Sequence, residues 1–495
     1  MAEPKSGPEL TTLRLLLSKG TISQAEYDMA VKELTDTMGL RAGEANTLVI
    51  GKWATSIYGF VEADGIYDTT ESFNEIQGNS PVQRPAAYAG SHDRMQFTIR
   101  NSRLGLRLKA PEVSGIRASG QLEMDFFGGG VNSNSGLGTA PTPSLTGNDP
   151  SVAAAAQGTA NQEGVVFNNA ILRIRHANLK VETPVVDFLV GQYWTLFGWH
   201  GQYLPATVQI QGITGEIFSR QLQFQISKTL KTDDVTFEAA IAAGRPVQRD
   251  SGMPVGQAGL RLAVNKWTAP QTLNYASTSI QPLSIAVTGD VRTIRVPSLT
   301  APKTDQVSQT GGAFAVDAFI PVIPGSKDKK GNSLALDGEF TTGSGYGDMF
   351  TGLTGGTSTV GALPAGAATG APAGGPAGYN PHLDNGIGFF DAGGSLHLIQ
   401  LTSFVAGFQY YLPGKGNWII AANYSRIQTG NLKGTLPAAS DDATLDHQDF
   451  FDANLYWDMT PAVRLGLEYA NVKTTYNDGG AAINHRGDFT AGFLF

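Results

Sequence analysis

The sequence predicts an all-β protein: a transmembrane antiparallel β-barrel of about 16 strands, preceded by a short N-terminal helical hairpin. Three observations carry that expectation. From Thr55 onward, isoleucine, valine and aromatic residues alternate with polar residues over about ten positions at a time, and clusters of Gly, Pro, Asn or Asp separate the segments. No apolar run approaches the roughly 18 to 20 residues that a membrane helix requires, and the mean hydropathy is only −0.12. Strands that send apolar side chains to lipid and polar ones to a lumen average to such a weak signal. Finally, the chain ends on a strand in which Phe489, Ala491, Phe493 and Phe495 share one face and Asp488 and Thr490 the other.

Composition narrows the function classes. The 495 residues would allow three ordinary domains, yet no stretch reads as a linker between two complete cores, so one large architecture is expected. Cysteine is absent, which excludes disulfides, thiolate metal sites and cysteine nucleophiles. A net charge of −8 argues against a nucleic-acid partner, because phosphate binding needs clustered positive charge. The start Met1-Ala2-Glu3-Pro4 has no basic and apolar leader pattern, and on the barrel reading the numbering is expected to be that of a processed or recombinant mature form.

Residues 1–53 read as a periplasmic helical hairpin and linker. Leu10, Leu13, Leu16 and Leu17 recur at helical spacing, Gly20 stops that helix, and Ser23-Gln24-Ala25-Glu26 is a capping box that opens a second. Residues 54–495 read as the barrel. Its strands are expected at Ser56–Asp68, Arg94–Lys109, Gly115–Phe127, Asn168–Val181, Val186–Thr195 and Arg220–Lys228, then at Val235–Arg245, Gln257–Trp267, Leu283–Ile294, Ala313–Val322 and Ser333–Thr342. Gly394–Thr402 and Phe404–Leu412 are doubtful as separate strands; Asn417–Gln428, Asp449–Thr460, Ala462–Thr475 and Arg486–Phe495 complete the set. Gly128–Gly164, Pro297–Gln309 and Gly345–Gly388 are low-complexity stretches that suit long extracellular loops, whereas Leu230–Asp234 and Met459–Pro461 suit short periplasmic turns.

Strand parity then selects the residues expected to line a pore. Arg117, Ser119, Gln121, Glu123 and Asp125 share the polar face of one strand, Glu62 and Asp64 share that of the first, and Arg173 pairs with Arg175 on a third. Arg94, Gln96, Thr98 and Arg100 have one parity and Arg103, Arg107 and Lys109 the other, so a bulge near Asn101-Ser102 is expected to keep both sets inward. Guanidinium forks on adjacent strands bind carboxylate and phosphate and ease the dehydration of an anion in a narrow channel. The same arginines with Glu62, Asp64, Glu123 and Asp125 could equally form ion-pair ladders that satisfy the barrel wall.

The terminal strand resembles the closing strand of Gram-negative outer-membrane barrels, which implies that Phe489, Phe493 and Phe495 serve the barrel-assembly machinery as a recognition signal. More specifically, Ile57–Asp64, Ser102–Leu106, Gln121–Phe126, Leu172–Ala177, Val190–Phe197 and Arg220–Phe224, in this order, resemble the DcaP-like porin family. That resemblance implies a homotrimeric, 16-stranded outer-membrane channel among lipids, with an N-terminal helical extension. It also implies passive diffusion of small hydrophilic solutes with a preference for anions such as dicarboxylates. The break at Gly20 departs from a long coiled coil and puts trimerisation through that segment in doubt.

Leu196–Phe218, with Trp199, His200, Tyr203 and Glu216, either folds into the pore or places Trp199 and Tyr203 in an interfacial girdle. None of the seven histidines forms an i, i+4 pair, and neither a phosphate loop nor a Gly-x-Ser-x-Gly elbow is present, so no metal, cofactor or enzymatic activity is expected. The alternative reading is a cell-surface or periplasmic all-β binding protein whose Gly/Ala/Thr-rich loops hold partners; a barrel enzyme is a third.

Overall fold

A computed structural model describes residues 15–24, 26–29, 47–50, 53–78, 81–128, 170–199, 202–246, 251–273, 277–298, 305–350, 386–391, 395–435 and 444–495. In the N-terminal segment, Gly20 takes φ +67° and Thr21 N–H donates to the Leu16 carbonyl while Gly20 N–H donates to Leu17. This is the glycine stop that closes the first helix. Ser23 and Glu26 exchange capping bonds, Ser23 N–H to Glu26 at 2.8 Å and Glu26 N–H to Ser23 Oγ at 3.3 Å.

A short strand β1 (Thr47–Ile50) turns into β2 (Trp53–Asp68), the first stave of the barrel. The second stave is broken into β3 (Arg94–Thr98) and β4 (Arg103–Lys109), both paired with β2. The wall continues through β5 (Arg117–Gly128), β6 (Ile171–Glu182), β7 (Asp187–Trp194), β8 (Arg220–Lys231) and β9 (Val235–Gly244). Next come β10 (Val255–Leu273), β11 (Ser277–Pro297), β12 (Gln306–Ile323) and β13 (Ser333–Ser344). A small hairpin, β14 (Gly388–Phe390) with β15 (Leu396–Leu398), lies apart from the wall. The last staves are β16 (Gln400–Tyr411), β17 (Trp418–Thr429), β18 (Leu445–Thr460), β19 (Val463–Tyr476) and β20 (Ala481–Leu494). Neighbours in sequence pair antiparallel throughout, and β20 closes on β2 from Phe60↔Leu494 to Asp68↔Arg486, giving a 16-stranded closed barrel. β1 occupies the edge of β2 that lies below the end of β20, where Phe495 and Gly59 exchange two backbone bonds of 3.0 Å.

Alternation sets the two faces. On β20, Asn484, Arg486, Asp488 and Thr490 are buried in the lumen while Ile483, Phe489 and Phe493 point out, as the sequence pattern requires. The outer face is apolar along its middle and carries aromatic residues near the end where β20 finishes, including Trp53, Trp267 and a stacked Trp418–Trp457 pair with centroids 5.0 Å apart. The short connections, among them Thr232–Asp234 and Pro461–Ala462, lie at this same end.

Several strands depart from expectation. Arg94–Lys109 is a broken stave, not a bulged one: Ser102 N–H donates to the Ile99 carbonyl in a turn, yet the parity does switch, so Arg100 and Arg103 both face inward. Pro297–Gln309 is not wholly a loop, because Gln306–Gln309 pairs with Ile294–Pro297. The doubtful pair resolves into one stave, β16, with Leu396–Leu398 in the separate hairpin. β10 and β11 run beyond the expected ends: Asn265, Lys266 and Trp267 are extra residues between Val264↔Leu283 and Thr268↔Pro282. That bulge, placed where Pro282 offers no N–H, bends the hairpin tip inward. There Thr272 N–H donates to Gln409 at 2.8 Å and its hydroxyl meets that of Tyr411 at 2.8 Å, across the lumen. Most of Gly128–Gly164 and Gly345–Gly388 lies outside the described residues.

Candidate functional site

The predicted arginines converge around two acids on β5. Asp125 accepts from Arg173 at 3.0 and 2.6 Å and from Arg175 at 3.1 Å, and Glu123 accepts from Arg175 at 2.8 Å. Arg103 stands 3.7 Å from Glu123 and over the Phe60 ring. Arg100 is buried against Glu75 at 2.7 Å, and Glu62 accepts from Asn101 at 2.7 Å with Asp64 beside it on β2. Arg117 is separate from all of these, pairing with Glu182 at the rim with its side chain 63% exposed. Arg220, which pattern reading passed over, completes the cluster through the Trp194 ring, 4.9 Å away. Most of the guanidinium charge is thus balanced by carboxylate within the wall, the ladder arrangement rather than a bare basic surface.

Chain segments between staves fill much of the lumen. The connection after β7, beginning with a turn at Phe197–Trp199, crosses the interior: Tyr203 bonds Ser284 at 3.1 Å and Thr207 bonds Asp452 and Glu468 at 2.9 and 3.0 Å. Further along it, Gln209 N–H donates to Glu468 at 2.7 Å, Ile217 N–H donates to Glu339 at 2.9 Å, and the Thr214 carbonyl accepts from Ser425. Trp199 and Tyr203 therefore sit inside the barrel and not in the girdle; a Cβ at Gly259 would come within 2.6 Å of the Trp199 ring. His200 lies outside the described residues. The connection after β2 also turns inward. Arg486 holds Asp68 at 2.9 and 2.8 Å and the carbonyls of Asn74 and Glu75 at 2.7 Å each, and Phe73 packs with Ile213 of the other segment. A third segment, Tyr346–Phe350, is tied down by Arg292, which bridges Asp290 at 2.7 Å and Asp348 at 2.5 Å.

These segments lean on the β10–β20 side and leave a cavity of about 350 Å³ against β4–β9. Its wall carries Arg107, Lys109, Gln121, Lys180, Tyr193 and Gln225, and Trp199 faces it from the crossing segment. Arg107 lies 4.0 Å over the Tyr58 ring, which in turn covers Gly105; a Cβ there would be 2.2 Å from that ring, so only glycine lets Tyr58 lie flat. Tyr58 donates to Glu123 at 2.9 Å and accepts from Gln121 at 2.7 Å, so the acid cluster positions the aromatic shelf under Arg107. Among the described residues, Arg107 and Lys109 meet no carboxylate, whereas Lys180 pairs with Glu182 at 3.0 Å. Lys109 shares the parity of Arg103 and Arg107, the set expected from the sequence to face inward.

Among solved structures, the outer membrane channel DcaP of Acinetobacter baumannii matches 92% of this chain and 100% of its own, with a TM-score of 0.60 and 16% identity. OmpT of Vibrio cholerae matches 91% of this chain and 100% of its own, with a TM-score of 0.46 and 11% identity. Salmonella typhi OmpF matches 91% and 100%, with a TM-score of 0.46 and 8% identity. No protein-family model matches the chain, and no curated protein matches it in sequence. The fold is that of the DcaP channel, a 16-stranded porin-type barrel.

Proposed function

We propose that this chain, with the fold of the DcaP channel, is a porin of a Gram-negative outer membrane that lets small hydrophilic solutes diffuse down their gradients and favours anions, dicarboxylates among them. The observation that carries the anion preference is Arg107 and Lys109 facing the open cavity with no carboxylate partner among the described residues. Unneutralised fixed charge in a confined aqueous path raises the local concentration of counter-ions. Arg103, Arg173 and Arg175, balanced by Glu123 and Asp125, act mainly on the field and the wall, and Arg100, Glu62 and Asp64 act above them. Residues 1–53 form a periplasmic segment beside the end with the short turns, and the working unit is a homotrimer.

The test is the reversal potential of the purified protein in planar bilayers under a salt gradient. Replacing Arg107 and Lys109 together with Ala moves the potential toward cation preference, by more than Arg103→Ala with Arg173→Ala does. Equal and unchanged potentials in both double variants would remove the anion preference. The outward Phe489, Phe493 and Phe495 serve as the assembly signal in this reading, and deleting Phe495 lowers the folded, outer-membrane fraction while refolding in detergent is retained.

A further inference from the structure

The cavity beside β4–β9 is lined by cations and by neutral polar side chains that open onto it. Elsewhere on the wall, Arg175, Arg292 and Arg486 are each committed to carboxylates. Around the cavity, besides the two free cations, Ser119, Gln225, Ser227 and Thr229 make no side-chain hydrogen bond among the described residues. Pairing register arranges these groups in a polar gradient. Lys109 sits opposite Ser119, Ser119 opposite Lys180, Lys180 opposite Leu189, and Leu189 opposite Gln225, so one belt runs from cations on β4 and β6 to neutral donors on β8. At its far end stand acids: Asp187, which is opposite Ser227, and Glu238, which is opposite Thr229 and is held by Arg261.

A solute with one carboxylate at the Arg107–Lys109 end meets hydroxyls and an amide along its body. One that carries a second carboxylate brings it toward Asp187, where like charges repel. The Tyr193 and Trp199 rings add apolar faces against which the C–H side of a hydroxylated chain can lie. A cavity of about 350 Å³ falls at the small end of the range for ligand pockets. From this layout we propose that the cavity is a binding subsite for polyhydroxylated monocarboxylates, the chemical class of sugar acids, which it holds more tightly than bare dicarboxylates of similar size. The proposal rests on the channel reading and names the solute class that lingers in the channel.

The experiment is current block in planar bilayers with the purified full chain in potassium chloride, adding gluconate, succinate or glucose at the end with the short turns. Gluconate is expected to reach half-block at a concentration at least about fivefold below succinate, since each hydrogen bond to a hydroxyl is worth roughly 0.5–1.5 kcal/mol, and glucose is expected to block least. Gln225→Ala with Ser227→Ala should bring the half-block concentrations of gluconate and succinate together, the ratio of the two being read within the same variant. Equal block by gluconate and succinate in the unaltered chain overturns the subsite and leaves the channel standing, as does a retained gluconate preference in that double variant. A protein that never opens overturns the channel reading and the subsite with it. The heat-dependent shift of the barrel on a denaturing gel establishes that each variant is folded before it is compared.

Discussion

The two halves of the lumen wall differ in what lies against them. Both present polar side chains inward, and each such group must find a partner or water. On β16–β19, the partners are chain: Asn423 donates to the Ala206 carbonyl at 2.9 Å, Asn454 accepts from Val208 N–H at 2.8 Å, and Glu468 accepts from Gln209 N–H. The crossing segment therefore satisfies its own backbone on the wall and fills that side. On β4–β9, Arg107, Lys109, Ser119 and Gln225 keep their polar atoms free for the cavity. In the proposed function, selectivity belongs to the half that the inward segments leave open, and the filled half supplies the surface that narrows the path.

Removing the crossing segment breaks this comparison most completely. Replacing residues 203–217 by a short Gly-Ser link uncovers Asp452, Glu468 and Glu339, which then take water in place of the segment. The barrel is expected to remain closed, because none of residues 203–217 belongs to a stave. Single-channel conductance should rise by about twofold or more as the cross-section widens, and anion preference should fall as the acids join the open path. An unaltered conductance in bilayers would show that the segment does not set the constriction.

A second comparison separates wall from rim among the arginine pairs. Asp125→Ala leaves Arg173 and Arg175 facing each other without their shared acid, and breaking such a buried network costs about 3–5 kcal/mol. Water in the lumen screens part of that, so the lower figure is expected from urea unfolding in detergent. Arg117→Ala removes an exposed rim pair and should change stability by less than about 1 kcal/mol. Similar costs for the two variants would mean that the interior cluster is as solvated as the rim.

How much of this was legible beforehand follows from the range of the interactions. Alternation is local, so the inward set on β5 and the outward Phe489 and Phe493 could be read from neighbours two residues apart. The parity switch before Arg103 was legible for the same reason, although the turn at Ile99–Ser102 that produces it was not. The long hairpin of β10 and β11 was shortened in the reading because residues past Trp267 no longer face lipid and lose the apolar alternation. The crossing segment could be suspected from its length and aromatics, but its seat depends on Asn423, Asp452 and Glu468, more than 200 residues away. The free cavity was not legible at all, because it is defined by where the inward segments do not go.

The smallest expected effect concerns the anchor of the first inward segment. Arg84 holds Asp478, on the turn between β19 and β20, through two bonds of 2.8 Å, and lies 4.1 Å over the Tyr476 ring. The Arg84 hydrogen bonds, helped by the Gly480 N–H, hold the Asp478 carboxyl below its ordinary range. A depressed carboxylate stabilises the anchored form above its ordinary range and loses that contribution as pH falls through the lowered value. Acidification should therefore loosen residues 81–84 and, through Phe73 and Gly78, disturb their packing on Ile213 and Thr214. Because both partners are about a third exposed and salt-screened, the change should be confined to extra current flicker at pH below the ordinary carboxylate range, with conductance unchanged. Asp478→Asn should show the same flicker at neutral pH and little further response to acid. Flicker that persists with its full pH dependence in that variant would assign the response to carboxylates of the filled half, and so locate acid sensitivity in the crossing segment itself.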